Sequence, residues 1–445
     1  MKIYNTYSDR LEDLILNKNV TIYVCGLTPY DNAHIGHART YVAYDLLKRY
    51  LIFKGHKVFH IQNITDIDDK LINKSKETGE DPIKIADKFH SKALEEFKKL
   101  NILPADVYPK VSEHLSKIYE IIEILLKKGI AYKTKTGVYF NILKFERYGK
   151  LSKQNLDKLS EHRIEPDPNK INPADFALWK YTDDYQWDSP FGKGRPGWHI
   201  ECSAMSLYYS NNNTIDIHGG AKDLIFPHHE NEIAQSECYL EKQFVRYWVH
   251  TGFLTVNGQK MSKSLKNFIT IEDALNRYDH MALRLFFLSS KYSSPIDFSD
   301  SAVKQAEEFY KSIKRFYNYI HSTSVNYSST NRFDNSIQEF FNALDNDLDT
   351  PKALSILNDI MTEAYKGINI FEQQVLIKFM NDFDFIFGLN IKKDPKLEKL
   401  LNNLDKLRTE YRKQKKFDVS DKIREAIANS DIEVKDSKDK SEYIY

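Results

Sequence analysis

Only three cysteines, Cys25, Cys202 and Cys238, occur in 445 residues. They are odd in number and far apart, which argues against a disulfide scaffold and leaves free thiols or metal ligands. An excess of charge of one sign is also missing. Lys plus Arg total 64 against 63 Asp plus Glu, a net +1, so any nucleic acid must be met by local patches rather than by a basic coat. No uninterrupted apolar run is long enough to span a bilayer, and "MKIYNTYSDRLEDL" lacks the apolar stretch of a secretory leader. A soluble cytoplasmic protein with no membrane partner is expected. The absence of a sustained heptad repeat points to a monomer. Length is what the chain has in plenty: it exceeds the size at which a single core keeps growing, so two to four domains are expected.

"NVTIYVC" (Asn19 to Cys25) is rich in β-branched residues and reads as a strand, and "GLTPYDN" after it as a loop. A helix from about Gly36 to Lys54, a stop at Gly55 and a second strand, "HKVFHIQNIT", complete a strand, helix, strand unit, half of a nucleotide-binding fold. Two amphipathic helices follow, one opening at Pro82 and one ending at Gly129. From about Ala131 to Trp187 short strands and a Pro-rich loop read as an insertion. Alternation resumes with "TIDIHGG", a helix beginning at Pro227, and "YWVHTGFLTV", closing the sheet near residue 255. Beyond residue 300 the pattern is of packed helices, interrupted by "STSVNYSSTNR", with a charged tail module over the last 55 residues.

Ligands of open parallel sheets sit beyond the carboxyl ends of the strands. His34, Gly36 and His37 fall in that crevice, at a helix N-terminus whose unpaired N–H groups attract phosphate. Two imidazoles there add hydrogen bonds as charge develops on a phosphate, and Gly36 lets an adenine lie flat against the backbone. Alternatively, the histidines merely cap a surface helix. "KMSKS" (Lys260 to Ser264) places Lys260 and Lys263 in a polar turn from which ammonium groups reach a polyphosphate and withdraw. Taken alone it is also a solvated loop.

A third constellation joins Cys25, Cys202 in "GWHIECSAM", and His228 with Glu232, four apart in "FPHHENE". Two thiolates, an imidazole and a carboxylate suit zinc. Buried apolar cysteines and a simple His–Glu helix pair remain the alternative. "HHENE" lacks the H-E-x-x-H spacing of zinc hydrolases.

"HIGH" and "KMSKS" together are the signatures of the class I aminoacyl-tRNA synthetases. In order, "YVCGLTPYDNAHIGHART", "QNITDIDDKL", "NPADFALWK", "GRPGWHIECSAMS", "DIHGGAKDLIFPHHENEIAQSE" and "GQKMSKSLKNF" resemble the cysteinyl-tRNA synthetase family over essentially the whole chain. The resemblance implies an α/β fold: a Rossmann-like parallel sheet with an inserted connective domain, then an α-helical bundle and a small anticodon-binding module. It divides the chain into residues 1–110 and 196–255 (the two halves of the catalytic domain), 111–195 (connective insertion), 256–302 (KMSKS loop and stem-contact region), 303–390 (helical bundle) and 391–445 (C-terminal module).

The implied activity is cysteine–tRNA ligation. L-Cysteine and ATP would give cysteinyl-adenylate and pyrophosphate, and the cysteine would pass to the terminal adenosine of tRNA(Cys). One Zn²⁺ would be held by Cys25, Cys202, His228 and Glu232, and Mg²⁺ would accompany ATP. His34, Gly36, His37, Lys260 and Lys263 would bind ATP, with Asp223 contacting the nucleotide or the amino group, while Thr28, Trp198 and His218 would shape the side-chain pocket. An apolar pocket separates serine from cysteine by only roughly 10 to 200-fold, so a soft thiolate bond to zinc would replace editing. The rival is a ligase passing cysteine to a small amine. The basic run "KLRTEYRKQKK", six basic residues and one acidic, favours tRNA. The chain departs from the family at Ala221, Ser293 and the ending "KDKSEYIY".

Overall fold

The structure, a computed structural model, describes residues 1–154, 167–262, 265, 267–328, 330–392, 395–430, 432–436 and 441–444. A hairpin, β1 (Lys2–Asn5) and β2 (Arg10–Asp13), precedes β3 (Asn19–Leu27), α1 (Ile35–Phe53) and β4 (Lys57–Ile64). Strand β3 buries both faces, Ile22 and Val24 on one side and Tyr23 on the other, as an inner strand of a parallel sheet must. Helix α1 is buried nearly all round and ends before Gly55, whose φ of +91° is readily adopted only by glycine.

Helices α2 (Asp69–Thr78), α3 (Pro82–Lys99) and α4 (Leu115–Lys127) lead into an antiparallel sheet of β5 (Ala131–Lys133), β6 (Gly137–Phe140), β7 (Phe176–Tyr181) and β8 (Gly194–Pro196). The chain then returns through α5 (Trp198–Tyr209), β9 (Ile215–Ala221), α6 (Glu230–Leu240) and β10 (Val245–Thr251). The resulting sheet has the order β10-β9-β3-β4, all parallel. Connections leave β3 and β9 in opposite directions, so the switch point lies between them. Their register pairs Tyr23 with His218 and Val24 with Gly219, which brings Cys25 and Gly220 together at the carboxyl edge.

Two expectations are corrected here. The sheet does not extend to residue 255, because β10 stops at Thr251 and Gly252 packs directly on the Ser294 backbone, where a Cβ would lie 2.2 Å from its carbonyl oxygen. Strand β11 (Leu254–Val256) instead joins β12 (Gln259–Lys260) and β13 (Ile296–Phe298) in a small separate sheet, with α7 (Ile271–Leu275) and α8 (His280–Leu288) between the latter two in sequence. The helix expected at Pro227 begins only at Glu230. Phe226, φ −135° and ψ 133°, is extended as a residue before proline prefers, and Ile225–His229 forms an irregular turn. The N-terminal hairpin and α2 were not anticipated.

Helices α9 (Asp300–Ser322), α10 (Asp334–Asp345), α11 (Thr350–Ala364) and α12 (Ile370–Phe387) share one apolar core with α1 and α8. Within it, Asp45 accepts from Arg49 at 2.8 Å and from the fully buried Arg284, which also donates to the carbonyls of Phe387 at 2.6 Å and Leu100 at 2.9 Å. Helices α13 (Pro395–Lys413) and α14 (Phe417–Ala428) and the hairpin β14 (Glu433–Asp436), β15 (Ser441–Ile444) follow with a small core of their own.

Candidate active site

Two imidazoles cap helix α1 reciprocally. The His37 N–H donates to His34 Nδ1 and the His34 N–H to His37 Nδ1, each at 3.3 Å, with the rings stacked at 3.6 Å. Because each Nδ1 accepts a backbone proton, a neutral ring carries its own proton on Nε2. Burial, with the nearby His34 and Lys70, pushes the His37 pKa well below the ordinary histidine range, so His37 is a neutral donor. A Cβ on Gly36 would stand 2.9 Å from His34 Nδ1. The glycine therefore leaves room for the capping ring; it does not line the neighbouring cavity.

The segment after the KMSKS loop is stitched to this capped turn. Ile35 N donates to the Ile269 carbonyl at 3.2 Å and Ile271 N to Ala33 at 2.9 Å, and Phe268 meets the His34 ring edge-on at 5.4 Å. Asn267 braces the loop, accepting from Ser262 N at 2.9 Å and donating to the Lys260 carbonyl at 3.1 Å. Lys260 is exposed on β12 and does not line the cavity. Lys263 lies outside the described residues.

A cavity of about 320 Å³ opens at the switch point and is lined by Cys25, Thr28, His34, His37, Trp198, Cys202, Asp223 and His228, among others. Nine of the thirteen site residues named from sequence thus have their positions around one cleft or, for Glu232, just behind it. His218, fully buried, bonds Glu232 Oε2 through Nε2 at 2.9 Å. Ala221 lines the cleft, and the Ser293 carbonyl accepts from Lys222 Nζ at 2.7 Å.

Cys25, Cys202, His228 and Glu232 are all buried, with one ligand atom of each within 4.8 Å of every other. Tetrahedral zinc with ordinary bond lengths needs donor separations of roughly 3.3–3.8 Å. Here the two Sγ atoms are 3.9 Å apart, Cys25 Sγ and Glu232 Oε1 3.8 Å, and His228 Nε2 and Glu232 Oε1 3.0 Å. The residues fit the ion in donor type, and their separations come within about 0.3 Å of that range.

Cys25, His218, His229 and Glu232 form a second, overlapping cluster. Its histidines lie behind the ligands: His229 Nε2 meets Cys25 Sγ at 3.3 Å and passes through Nδ1 to His250 at 2.8 Å, and His250 bonds Thr6 at 2.8 Å. His199 Nδ1 meets His228 Nδ1 at 3.1 Å, leaving His228 Nε2 to face Glu232. Such outer partners orient metal ligands. His199, His229 and His250 were missed from sequence. The signal available was the density of histidine at strand ends and beside the cysteines.

Electrostatics divide this cluster. Burial holds the pKa values of His199, His229 and His250 down, His250 to about 3. Against the desolvation of its own burial, His228 is raised to about 10 by Glu232 and Cys202, and Glu232 is held at about 2 by His218 and His228. The hydrogen bond from Cys25 lowers Cys202 to about 6, whereas burial pushes Cys25 up. These shifts favour a thiolate at Cys202 and a carboxylate at Glu232, the ionised forms a metal takes, and keep the proton on Cys25 and His228, from which a bound metal would displace it. Cys238 lies apart on α6, half-buried, with its thiol raised to about 11 by burial.

A family model described as the tRNA synthetases class I (C) catalytic domain matches residues 12–308. Proteins named cysteine–tRNA ligase from Thermococcus gammatolerans and Methanococcus aeolicus are 44% and 43% identical, covering 98% of this chain and 97% and 98% of their own lengths. Among solved structures, Mycobacterium tuberculosis methionyl-tRNA synthetase in complex with methionyl-adenylate aligns with a TM-score of 0.63 at 14% identity, over 87% of this chain and 94% of its own. That last likeness establishes the fold alone.

Proposed function

The chain belongs to the cysteine–tRNA ligases of the class I synthetases, and from that premise we propose that it activates L-cysteine with ATP and transfers it to the 3′-terminal adenosine of tRNA(Cys). The observation that carries this reading is the placement of the buried Cys25, Cys202, His228 and Glu232 donors beside a cleft shared with His34 and His37. A zinc ion held by those four residues would supply a soft Lewis-acid position that prefers a thiolate to a serine hydroxyl.

The remaining roles belong to the chain. His34 and His37 each present Nε2–H to the α-phosphate as the cysteine carboxylate attacks it. The neutral form of His37 lets it donate without trapping the product as an ion pair would. Lys260 and Lys263 steady the departing pyrophosphate, Mg²⁺ accompanying the triphosphate. Thr28 and Trp198 bound the side-chain pocket, and His218 holds Glu232 from behind. Asp223, which also lines the cleft, receives the nucleotide or the amino group. The adenylate carbonyl is then attacked by a ribose hydroxyl of tRNA, so no protein nucleophile is required.

Residues 111–195 act as the connective domain that meets the acceptor end, and 391–445 as the anticodon module. In the basic stripe Lys406, Arg412, Lys413, Lys415 and Lys416 are exposed, where phosphates would meet them, whereas Arg408 is buried. No helix among the described residues is long and apolar enough to cross a membrane; a cytoplasmic monomer is the state we propose. The test is charging of total tRNA with labelled cysteine and, in parallel, labelled serine. Cysteine on the 3′ end with serine near background is expected. Cysteine-dependent pyrophosphate release without charging would hand the adenylate to a small amine instead.

A further inference from the structure

Trp198 has a cavity on each side. One is the cleft just described; the other, of about 270 Å³, lies between β7 of the insertion and the irregular turn before α6. Phe176, Phe226 and Trp198 give it aromatic walls, and Lys180 of the insertion lines it as well. Trp198 is 38% exposed and its ring centroid stands 4.5 Å from that of His228. The wall of this slot is therefore also the wall of the catalytic cleft.

Its one deeply buried amide is polarised in a particular direction. Asn231, 2% exposed, uses Oδ1 to accept the Tyr148 hydroxyl. Its Nδ2 finds no acceptor among the described residues and belongs to a side chain lining the slot. An aromatic-walled slot with an amide left to donate matches the acceptor-bearing edge of a purine, and sequence-tolerant stacking on aromatic faces is how unpaired bases are held. A lysine beside it suits the adjoining phosphate.

We propose that this slot receives the adenine ring of the terminal nucleoside of tRNA, stacked against Trp198 and Phe226 with Asn231 Nδ2 donating to a ring nitrogen, so that its ribose reaches around Trp198 to the adenylate. The assignment rests on tRNA being the acceptor. Asn231 and Phe226 are positioning residues for the transfer step. They take no part in activation, and neither does Lys180.

The experiment compares wild type with Asn231→Ala, Phe226→Ala and Lys180→Ala in two assays: cysteine-dependent pyrophosphate exchange, and single-turnover transfer to tRNA transcripts ending in CCA or CCC. Exchange is expected to stay within about 3-fold while transfer to the CCA transcript falls roughly 10-fold, the scale of one lost stacking or hydrogen-bonding contact. The wild-type preference for CCA over CCC should shrink in Asn231→Ala and Phe226→Ala. It should persist in Lys180→Ala, which removes an ammonium on β7 of the insertion and none of the groups that face the base. Transfer and base preference unchanged in all three would overturn the slot, as would loss of exchange in parallel with transfer. A wild-type enzyme that exchanges pyrophosphate yet charges neither transcript would overturn the tRNA reading itself.

Discussion

Replacing His37 by asparagine and by glutamine separates its two ring nitrogens. Asparagine sets an oxygen near the place of Nδ1 and keeps the acceptor for the His34 N–H; glutamine sets an N–H near the place of Nε2 and keeps the donor that faces the cleft. The reciprocal cap consists of two long bonds, 3.3 Å each, so losing one belongs at the lower end of the capping range, about 0.5–1 kcal/mol. Losing a donor aimed at developing charge costs more, about 2.7–4 kcal/mol or 10²–10³ in rate. His37→Asn should therefore slow cysteine-dependent pyrophosphate exchange by roughly 10²–10³ with the first turn of α1 intact. His37→Gln should retain most of the rate, while the amides of that turn exchange hydrogen up to about 5-fold faster. Equal rate losses in the two variants, or a fully active asparagine variant, would refute the assignment of Nδ1 to the fold and Nε2 to the phosphate.

Cys202→Ser should lower zinc content per chain and cut cysteine activation by more than about 100-fold while ATP affinity holds, read by atomic emission and exchange kinetics; full activation by zinc-free protein would sink the scheme. His199→Ala frees the far nitrogen of His228 and should weaken zinc retention by roughly 10–100-fold in a chelator competition. His60 is buried with neither ring nitrogen bonded, and desolvation depresses its pKa to about 3. Its neutral form is the folded one, so its contribution is complete above pH 6.5 and is lost as pH falls toward 3. At pH 5 the loss is about 2 kcal/mol, and urea titrations of His60→Phe should show a shallower decline between pH 7 and 5 than wild type. Arg284→Met strands the Phe387 and Leu100 carbonyls and unbalances Asp45. Destabilisation of about 3–5 kcal/mol is expected in urea, and a shift below 1 kcal/mol would show that the network relaxes.

Much of this molecule is written locally. Strand β3 and helix α1 follow from β-branched residues, a glycine stop and apolar periodicity, which act through neighbours a few residues apart. The two signature loops and the four candidate metal donors could be picked out for a related reason: their chemistry demands particular side chains in particular order, and the family resemblance singles those residues out.

What stayed hidden depends on which distant backbones come into register. The local density of histidine marks His199, His229 and His250 as a group, but their place beside Cys25 and His228 is decided by the β3–β9 register and the approach of α6 to the sheet. Gly36, read from sequence as a seat for adenine, also leaves the space His34 needs to cap α1. The departure of β11 from the main sheet turns on Gly252 meeting the Ser294 backbone, a contact across more than forty residues. Sequence by itself determined the strand, helix, strand unit, the later helices and the candidate donor set, because propensity and chemical identity are properties of single residues and short spans. Tertiary structure alone decided the outer histidines, the reciprocal cap's tie to residues 268–271 and the second cavity behind Trp198, because these exist only where separate elements pack.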